Sequence, residues 1–365
     1  MKIAIFGGSF NPVHKEHVNI VLSAKRELGL DKVIVIPSAV TPQKDGRIIV
    51  SSEHRLNMCR LAFGGIEGVE VSDYEIQKGG ISYSYLTCEE FAKRYKEDNL
   101  YFIIGADMFE NFPKWKYPEC ILDKVTLAVC SREKPLTATA QFDYVKFSYI
   151  GAKVSSTKIR TLCALGESVL EYVPQKVADY IESNSLYRLD FIDKLKRLLT
   201  PERWAHTVRV ALMAAENCSK YNIPEDKAVI AAALHDCAKY LGRERPELKG
   251  FNFPEDVPDP VMHQYTGAYV AEHTFGICDE DILNAVKHHT SGRPEMSPLE
   301  KLIFLSDLLE EGRNFEGIEK LREGFSHSLD EGLKRALEHQ LNYLNGTGAK
   351  VYLQTNNAYL YYKGK

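Results

Sequence analysis

Short apolar runs recur through the first half of the chain, at Lys2–Phe6, Val33–Ile36, Val69–Val71, Tyr101–Ile104, Thr126–Cys130 and Lys146–Ile150. They are rich in β-branched and aromatic residues and mostly bounded by Gly, Pro or Asp, the marks of strands. Between them the spacing turns helical, as in Val18–Leu28 and Glu53–Phe63. This alternation predicts a parallel α/β sheet that takes ligands at the carboxyl ends of its strands. From about Asp190 the strand signal fades. Thr200-Pro201 reads as an N-cap with Pro at the first helical position. Asp279 opens a helix with Ile282, Ala285 and Val286 on one stripe, and Ser297-Pro298-Leu299-Glu300 is a capping box ahead of Leu302-Ile303. An all-helical region over 190–345 follows. The polar Ser183–Asn184 segment marks the transition, and two domains, 1–189 and 190–365, are expected. Tyr352–Lys365 is polar and Tyr-rich and is assigned no element.

Composition fits that division. The chain has 365 residues, 44% hydrophobic and 26% charged, enough apolar surface for two cores. Its formal net charge of −4 argues against a dedicated binder of nucleic-acid backbones. No apolar run approaches the roughly 18 residues of a membrane span, and Gly7-Gly8-Ser9 interrupts the apolar start too early for a signal peptide. The eight cysteines form no C-x-x-C pair, so reduced thiols and a cytoplasmic location are expected. Homo-oligomerisation is left open.

Chemistry concentrates in two places. The first is Gly7-Gly8-Ser9-Phe10-Asn11-Pro12-Val13-His14-Lys15-Glu16-His17, between a strand and a helix. Paired glycines let backbone approach a ligand, and a helix N-terminus offers N–H groups and partial positive charge to phosphate. His14 and His17, three apart, can face the same ligand. The run is neither a G-x-G-x-x-G fingerprint nor a Walker loop.

The second place is the helical half, which holds eight of the eleven histidines. His206 shares a helical face with Val210 and Met213, and His263 with Gly267, Val270 and Ala271. His289 continues the stripe of Ile282, Ala285 and Val286, and Asp307 lies four after Ile303. Polar groups on core-facing stripes are costly unless they find partners, and a shared metal centre with His235-Asp236 would supply them together. His288 aligns instead with Asn284 and Asp281 on a polar face. His273, His327 and His339 read as surface or structural residues. Imidazole and carboxylate without Cys suit Fe, Mn, Co or Zn.

The opening run resembles the signature of the nucleotidylyltransferase superfamily, G-G-S/T-F-x-P-x-H-x-G-H. Ile36-Pro37 with Pro42 and Lys44, Val71-Ser72-Asp73 with Ser82-Tyr83-Ser84, Gly105-Ala106-Asp107 with Phe112-Pro113-Lys114-Trp115, and Val154-Ser155-Ser156-Thr157-Lys158-Ile159-Arg160 resemble further elements of bacterial nicotinate-mononucleotide adenylyltransferases, the NadD group. The resemblance implies a Rossmann-like α/β fold and transfer of AMP from ATP to nicotinate mononucleotide. It places ATP on Gly7, Gly8, Ser9, Phe10, His14, His17, Ser156, Thr157 and Arg160, with His14, His17, Lys44 and Arg160 as charge-stabilising donors and Mg²⁺ across the phosphates. Trp115 would stack on the pyridine ring, Ser84 would meet its carboxylate, and Asp107 would hold the ribose or orient the site. The competing readings are a core or lid aromatic for Trp115, a helix cap for Asp107 and a plain loop charge for Lys44. Two positions depart from the pattern: Glu16 replaces a Gly, adding bulk and negative charge beside the ATP loop, and Ser84 replaces a Thr.

The order H…H-D…H…H…D resembles the HD-domain phosphohydrolases. Ala233-Leu234-His235-Asp236-Cys237-Ala238-Lys239, His289-Thr290-Ser291-Gly292-Arg293-Pro294 and Leu305-Ser306-Asp307 resemble its YqeK group. That resemblance implies an all-α domain that hydrolyses diadenosine tetraphosphate symmetrically to two ADP on two divalent metals, Fe foremost. His206, His235, Asp236 and Asp307 would hold one metal, and Asp236 would bridge to a second bound by His263 and His289. Lys239 and Arg293 would contact phosphate, the rival reading of Arg293 being a surface charge. Other readings are a different acceptor for the first half, a different nucleotide for the second, or a non-catalytic nucleotide sensor in place of one enzyme.

Overall fold

The structure, a computed structural model, describes residues 1–40, 49–131, 142–149, 151–152 and 154–364. Among these, 1–40, 49–160 and 168–187 form one compact unit, and 161–167 and 188–364 a second.

The first unit is a sheet of six described strands: β1 (Lys2–Gly8), β2 (Lys32–Pro37), β3 (Val69–Val71), β4 (Asn99–Gly105), β5 (Thr126–Ser131) and β6 (Tyr144–Ser148). All pairings are parallel and the spatial order is β3-β2-β1-β4-β5-β6. This is the doubly wound, Rossmann-like arrangement, in which the strand order reverses direction between β1 and β4. Ile3–Phe6 of β1 are buried in succession, as a strand covered on both faces requires.

The helices of this unit are α1 (Lys15–Leu28), α2 (Ser52–Phe63), α3 (Tyr74–Lys78), α4 (Ser84–Arg94), α5 (Ala106–Asn111), α6 (Pro118–Leu122), the first half of α7 (Ser156–Ala164), whose residues 161–164 fall in the second unit, and α8 (Gln175–Ser183). Gly29 ends α1 in the left-handed region at φ 61° and returns its N–H to the Lys25 carbonyl. β1 stays in register with β2 as far as Gly8↔Pro37, but its pairing with β4 stops at Ile5↔Phe102. The carboxyl ends of β1 and β4 therefore part where the strand order switches, and the glycine-rich loop lies at that opening.

The second unit is helical: α9 (Ile192–Lys196), α10 (Pro201–Cys218), α11 (Glu225–Leu234), α12 (Asp259–Phe275), α13 (Glu280–His288), α14 (Pro298–Leu309), α15 (Ile318–His327), α16 (Leu329–Thr347) and α17 (Leu353–Lys363). Thr200, Asp279 and Ser297 cap α10, α13 and α14 through their side chains, as their sequence positions predict. The Ala-rich α11 is central and packs against α10, α13 and α14. α12 and α13 approach closely at Gly267, where an added Cβ would lie 3.3 Å from a Val286 methyl.

One local expectation is corrected, and one stretch assigned no element takes its place in the fold. The last strand runs Tyr144–Ser148 rather than Lys146–Ile150, with Leu127 opposite Tyr144. It begins early because the Tyr144 ring joins the core against Phe109, at a centroid distance of 4.6 Å; Ile150 lies outside the described residues. The C-terminal stretch is a helix, with Thr355, Ala358 and Tyr362 buried at helical spacing and the Tyr362 hydroxyl accepting from Met296 N–H at 2.8 Å. All eight cysteines are unbridged; Cys120 and Cys278 are exposed and six are buried.

Candidate functional sites

At the opening loop, four side chains from later in the chain take the carbonyl and amide oxygens. Arg55 donates to Ser9 O and Ala39 O, both at 2.8 Å. Arg160 donates to Asn11 O at 2.6 Å, Ser156 to Pro12 O at 3.1 Å, and the Tyr187 hydroxyl to Asn11 Oδ1 at 2.8 Å. With these oxygens held by the protein, the loop does not turn them on an anion. Gly8 closes onto the Phe10 ring: a Cβ there would stand 3.0 Å from it, and Phe10 itself adopts φ 45°. Phe10 in turn meets the His17 ring edge-on at 5.1 Å.

His14 caps α1 and stacks on His17 with centroids 3.7 Å apart. The His14 backbone N–H donates to His17 Nδ1 at 3.2 Å. A neutral imidazole that accepts at Nδ1 carries its proton on Nε2, so His17 is set as a donor. Glu16 is buried on the first turn of α1, where the Tyr149 hydroxyl donates to its carboxylate. The bulk expected at this position is present, and the carboxylate is turned to Tyr149.

The other residues expected at this site lie at strand ends and helix starts. Ser156 and Thr157 open α7, and Thr157 Oγ1 accepts from Arg160 at 2.9 Å. Ser84 is the first residue of α4, and Asp107 stands exposed in the first turn of α5, directly after β4. Trp115 is half-buried against Phe112 and Phe102, at 5.3 and 6.3 Å. Lys44 and Pro42 lie outside the described residues.

In the helical unit the six expected ligands converge as two triads, His206–His235–Asp307 and Asp236–His263–His289. In the first, His206 Nε2 is 2.9 Å from Asp307 Oδ1 and 3.4 Å from His235 Nε2. In the second, the Nε2 atoms of His263 and His289 are 3.2 Å apart and each is 3.4 Å from Asp236 Oδ1. Asp236 joins the triads, since its Oδ2 lies 3.4 Å from His235 Nε2.

The tautomers follow from the partners of Nδ1. His235 and His289 each place Nδ1 2.7 Å from a backbone carbonyl, of Ala232 and Val286. A carbonyl only accepts, so Nδ1 carries the proton and each Nε2 presents a lone pair inward. Lone pairs crowded with buried carboxylates at about 3 Å repel unless a cation lies among them. Asp236 Oδ1, buried and hydrogen-bonded by none of the described residues, is the acceptor such a cation would satisfy. These residues fit a divalent metal.

The electrostatics agree. Burial opposes charge on Asp236 and Asp307, but in the metal-free cluster protonated imidazoles outweigh it and hold both carboxyls well below the usual carboxylate range, the role a bound cation would take over. Burial together with His289 and Lys239 lowers His263 to about 3, keeping its imidazole neutral as a ligand requires.

Two expectations in this unit are revised. Arg293 forks onto the buried Glu300, Nε to Oε1 at 2.7 Å and Nη2 to Oε2 at 2.8 Å, and its Nη1 donates to Pro294 O. Its guanidinium is spent on tying the 289–297 turn to α14 rather than offered to a phosphate. His288, expected on a polar face, is buried and its Nδ1 accepts from Gln354 of α17 at 3.0 Å.

The cationic groups that do reach the cluster are Lys239, 2.9 Å from His263 Nε2, Arg203, 2.8 Å from Asp236 Oδ2, and Arg313, 2.9 Å from Asp307 Oδ1. Arg203 and Arg313 were not legible as site residues. Arg203 could have been found as the residue one turn before His206 on the same helix.

Comparison with known proteins bears on both units. The cytidylyltransferase-like family model matches residues 5–162 and the HD domain model residues 203–312. A Mycoplasma genitalium protein named "Probable nicotinate-nucleotide adenylyltransferase/Ap4A hydrolase" is 30% identical over 86% of this chain and 89% of its own length. The chain belongs to this two-domain family. It is a nucleotidyltransferase joined to an HD-domain hydrolase. A Clostridium tetani protein named "Probable nicotinate-nucleotide adenylyltransferase" is 36% identical over 51% of this chain and 99% of its own length. A solved HD superfamily hydrolase from Clostridium acetobutylicum is 32% identical over 47% of this chain and 94% of its own, with a TM-score of 0.45. Among the described residues no helix is long and apolar enough to cross a membrane.

Proposed function

We propose that the chain is a cytoplasmic bifunctional enzyme, with residues 1–189 transferring AMP from ATP to nicotinate mononucleotide and residues 190–365 hydrolysing diadenosine tetraphosphate symmetrically to ADP. The observation that carries the reading is the two-domain relative, whose name joins these two activities and whose alignment runs through both units.

In the first domain the phosphate of nicotinate mononucleotide attacks the α-phosphorus of ATP and pyrophosphate leaves. The attacking oxygen is already anionic, so no general base is required. The protein's work is alignment and charge stabilisation. His17, oriented through its Nδ1, donates from Nε2 to the phosphates, beside His14. Arg160 secures the loop through Asn11 O while its helix start, with Ser156 and Thr157, faces the triphosphate, and Lys44 adds positive charge. Gly7, Gly8, Ser9 and Phe10 let the nucleotide approach. Ser84, Asp107 and Trp115 receive nicotinate mononucleotide. Mg²⁺, when bound, neutralises the phosphates.

In the second domain His206, His235, Asp236 and Asp307 hold one divalent metal, and Asp236, His263 and His289 a second, with Fe favoured over Mn, Co or Zn. When bound, the pair supplies a water of lowered pKa and a counter-charge to the leaving phosphate. Lys239, whose ammonium already lies at the ligand atoms, grips the polyphosphate. The ligands set the hydrolytic chemistry more firmly than the nucleotide it acts on, so another nucleotide is the second reading for this half.

Wild type, His17→Ala and Asp236→Ala assayed against ATP plus nicotinate mononucleotide and against diadenosine tetraphosphate test the reading. Each substitution is expected to abolish one activity and spare the other. Loss of both from either change contradicts independent sites.

A further inference from the structure

A buried carboxylate that the adenylyl transfer itself does not use stands behind Ser84. Glu75, in α3, is 8% exposed, and its Oε1 accepts from the Thr87 hydroxyl at 2.6 Å. The Ser82 hydroxyl is a second hydrogen-bonding partner of the same carboxylate. Ser82 precedes Ser84 in the entry to α4, and Thr87 follows it in the first turn. One anion thus grips the chain on both sides of Ser84. Tyr83, the residue before α4, supplies no side-chain cap, so this helix start is set from α3 instead.

The hydrogen bonds continue past Ser82. Its Oγ accepts from Ala39 N–H and its own N–H donates to Val40 O, both at 2.9 Å. Ala39 O is one of the two carbonyls that Arg55 takes, the other being Ser9 O of the opening loop. The Ala39 residue is therefore held at both its polar groups, its N–H through a buried anion and its carbonyl by a buried cation. Burial pushes the Glu75 carboxyl up, and the two hydroxyls, then Lys78 and Arg55, pull it back. A buried carboxylate is costly unless hydrogen-bonded, and both of these hydroxyl donors belong to one helix start.

We propose that Glu75 is a positioning residue for the acceptor substrate: through Ser82 and Thr87 it fixes Ser84 and the start of α4 where the carboxylate of nicotinate mononucleotide is received. The donor side is secured separately, by Arg55 on Ser9 O, so Glu75 serves the acceptor. The inference rests on the acceptor role proposed above for Ser84.

Steady-state kinetics of the full chain, varying each substrate in turn, test it. Glu75→Gln keeps the side chain's shape and loses its charge. Thr87→Val removes one donor, and it carries the test should Glu75→Gln fail to fold. Each is expected to raise KM for nicotinate mononucleotide by about tenfold and to leave KM for ATP and kcat within about twofold. The preference for nicotinate over nicotinamide mononucleotide should fall by a similar factor, since the carboxylate is the group that meets Ser84. Thermal unfolding is measured alongside. Variants that lose stability but keep both KM values and the preference, or that raise both KM values together, overturn the inference and leave the adenylyltransferase reading standing. A wild-type chain that does not adenylylate nicotinate mononucleotide removes that reading and the inference with it.

Discussion

The hydroxyl of Tyr149 donates to the buried carboxylate of Glu16, joining the first turn of α1 to the segment just beyond β6. Glu16 stands at the Gly position of the signature that the opening run resembles, beside the histidines of that loop. Its negative charge is hydrogen-bonded inside the protein. Tyr149→Phe removes that donor from a buried anion and is expected to cost about 1–3 kcal/mol of stability. Thermal unfolding of the variant against wild type measures it. An unchanged midpoint would mean the carboxylate is satisfied without Tyr149.

Arg55 is the group that fixes the loop's outline. It is buried, lies far from the loop in sequence, and donates to Ser9 O and Ala39 O. Burial pulls its guanidinium below the ordinary value, so its place depends on those carbonyls. Arg55→Lys keeps the charge but loses the planar fork. The expected result is a higher KM for ATP with the hydrolase activity untouched, and steady-state kinetics on both reactions decide it.

Arg293 and Arg203 separate structure from substrate. Arg293→Met leaves Glu300 buried and unpaired and should destabilise the helical unit by about 3–5 kcal/mol, with no change in KM for diadenosine tetraphosphate in the surviving folded fraction. Arg203→Gln should instead raise that KM, because its guanidinium borders the cluster at Asp236. Urea unfolding paired with steady-state kinetics distinguishes the two, and the reverse pattern would return Arg293 to the phosphate site.

His288 sets a pH dependence. Burial, then Arg293, lowers it from the ordinary 6.5 to about 3. As pH falls below 6.5 the unfolded chain takes up a proton that the native chain refuses until about pH 3. Stability contributed by neutral His288 is therefore intact above 6.5 and declines through that window, by at most about 1.4 kcal/mol per pH unit. His288→Gln should flatten the decline of unfolding free energy between pH 6.5 and 5 in metal-free chain. An identical slope in both proteins would falsify the assignment.

His288 also shows what the sequence could and could not tell. Strand positions, helix caps and the inward stripes of His206, His263, His289 and Asp307 were legible because each rests on local spacing. The burial of His288 was not. It depends on α17, whose buried face is carried by Thr355, Ala358 and Tyr362 with little hydrophobic contrast to its polar side. Missing that helix meant missing the lid over His288. Arg55, Arg203 and Arg313 escaped for a related reason, since a charged residue on a helix reads as solvated until tertiary structure supplies its partner. Arg293 erred in the opposite sense: it sits beside the ligand His289 in sequence, but its buried partner Glu300 lies on the next helix.

The distribution of thiols has a practical consequence. Cys120 and Cys278 are exposed, one in each compact unit, while burial drives the Cys59, Cys88 and Cys237 thiols up and out of reactive range. A maleimide dye will therefore enter the native protein at one place per domain, without mutagenesis. The chain comes equipped with a donor–acceptor pair for following, by energy transfer, whether substrate on one half is felt by the other.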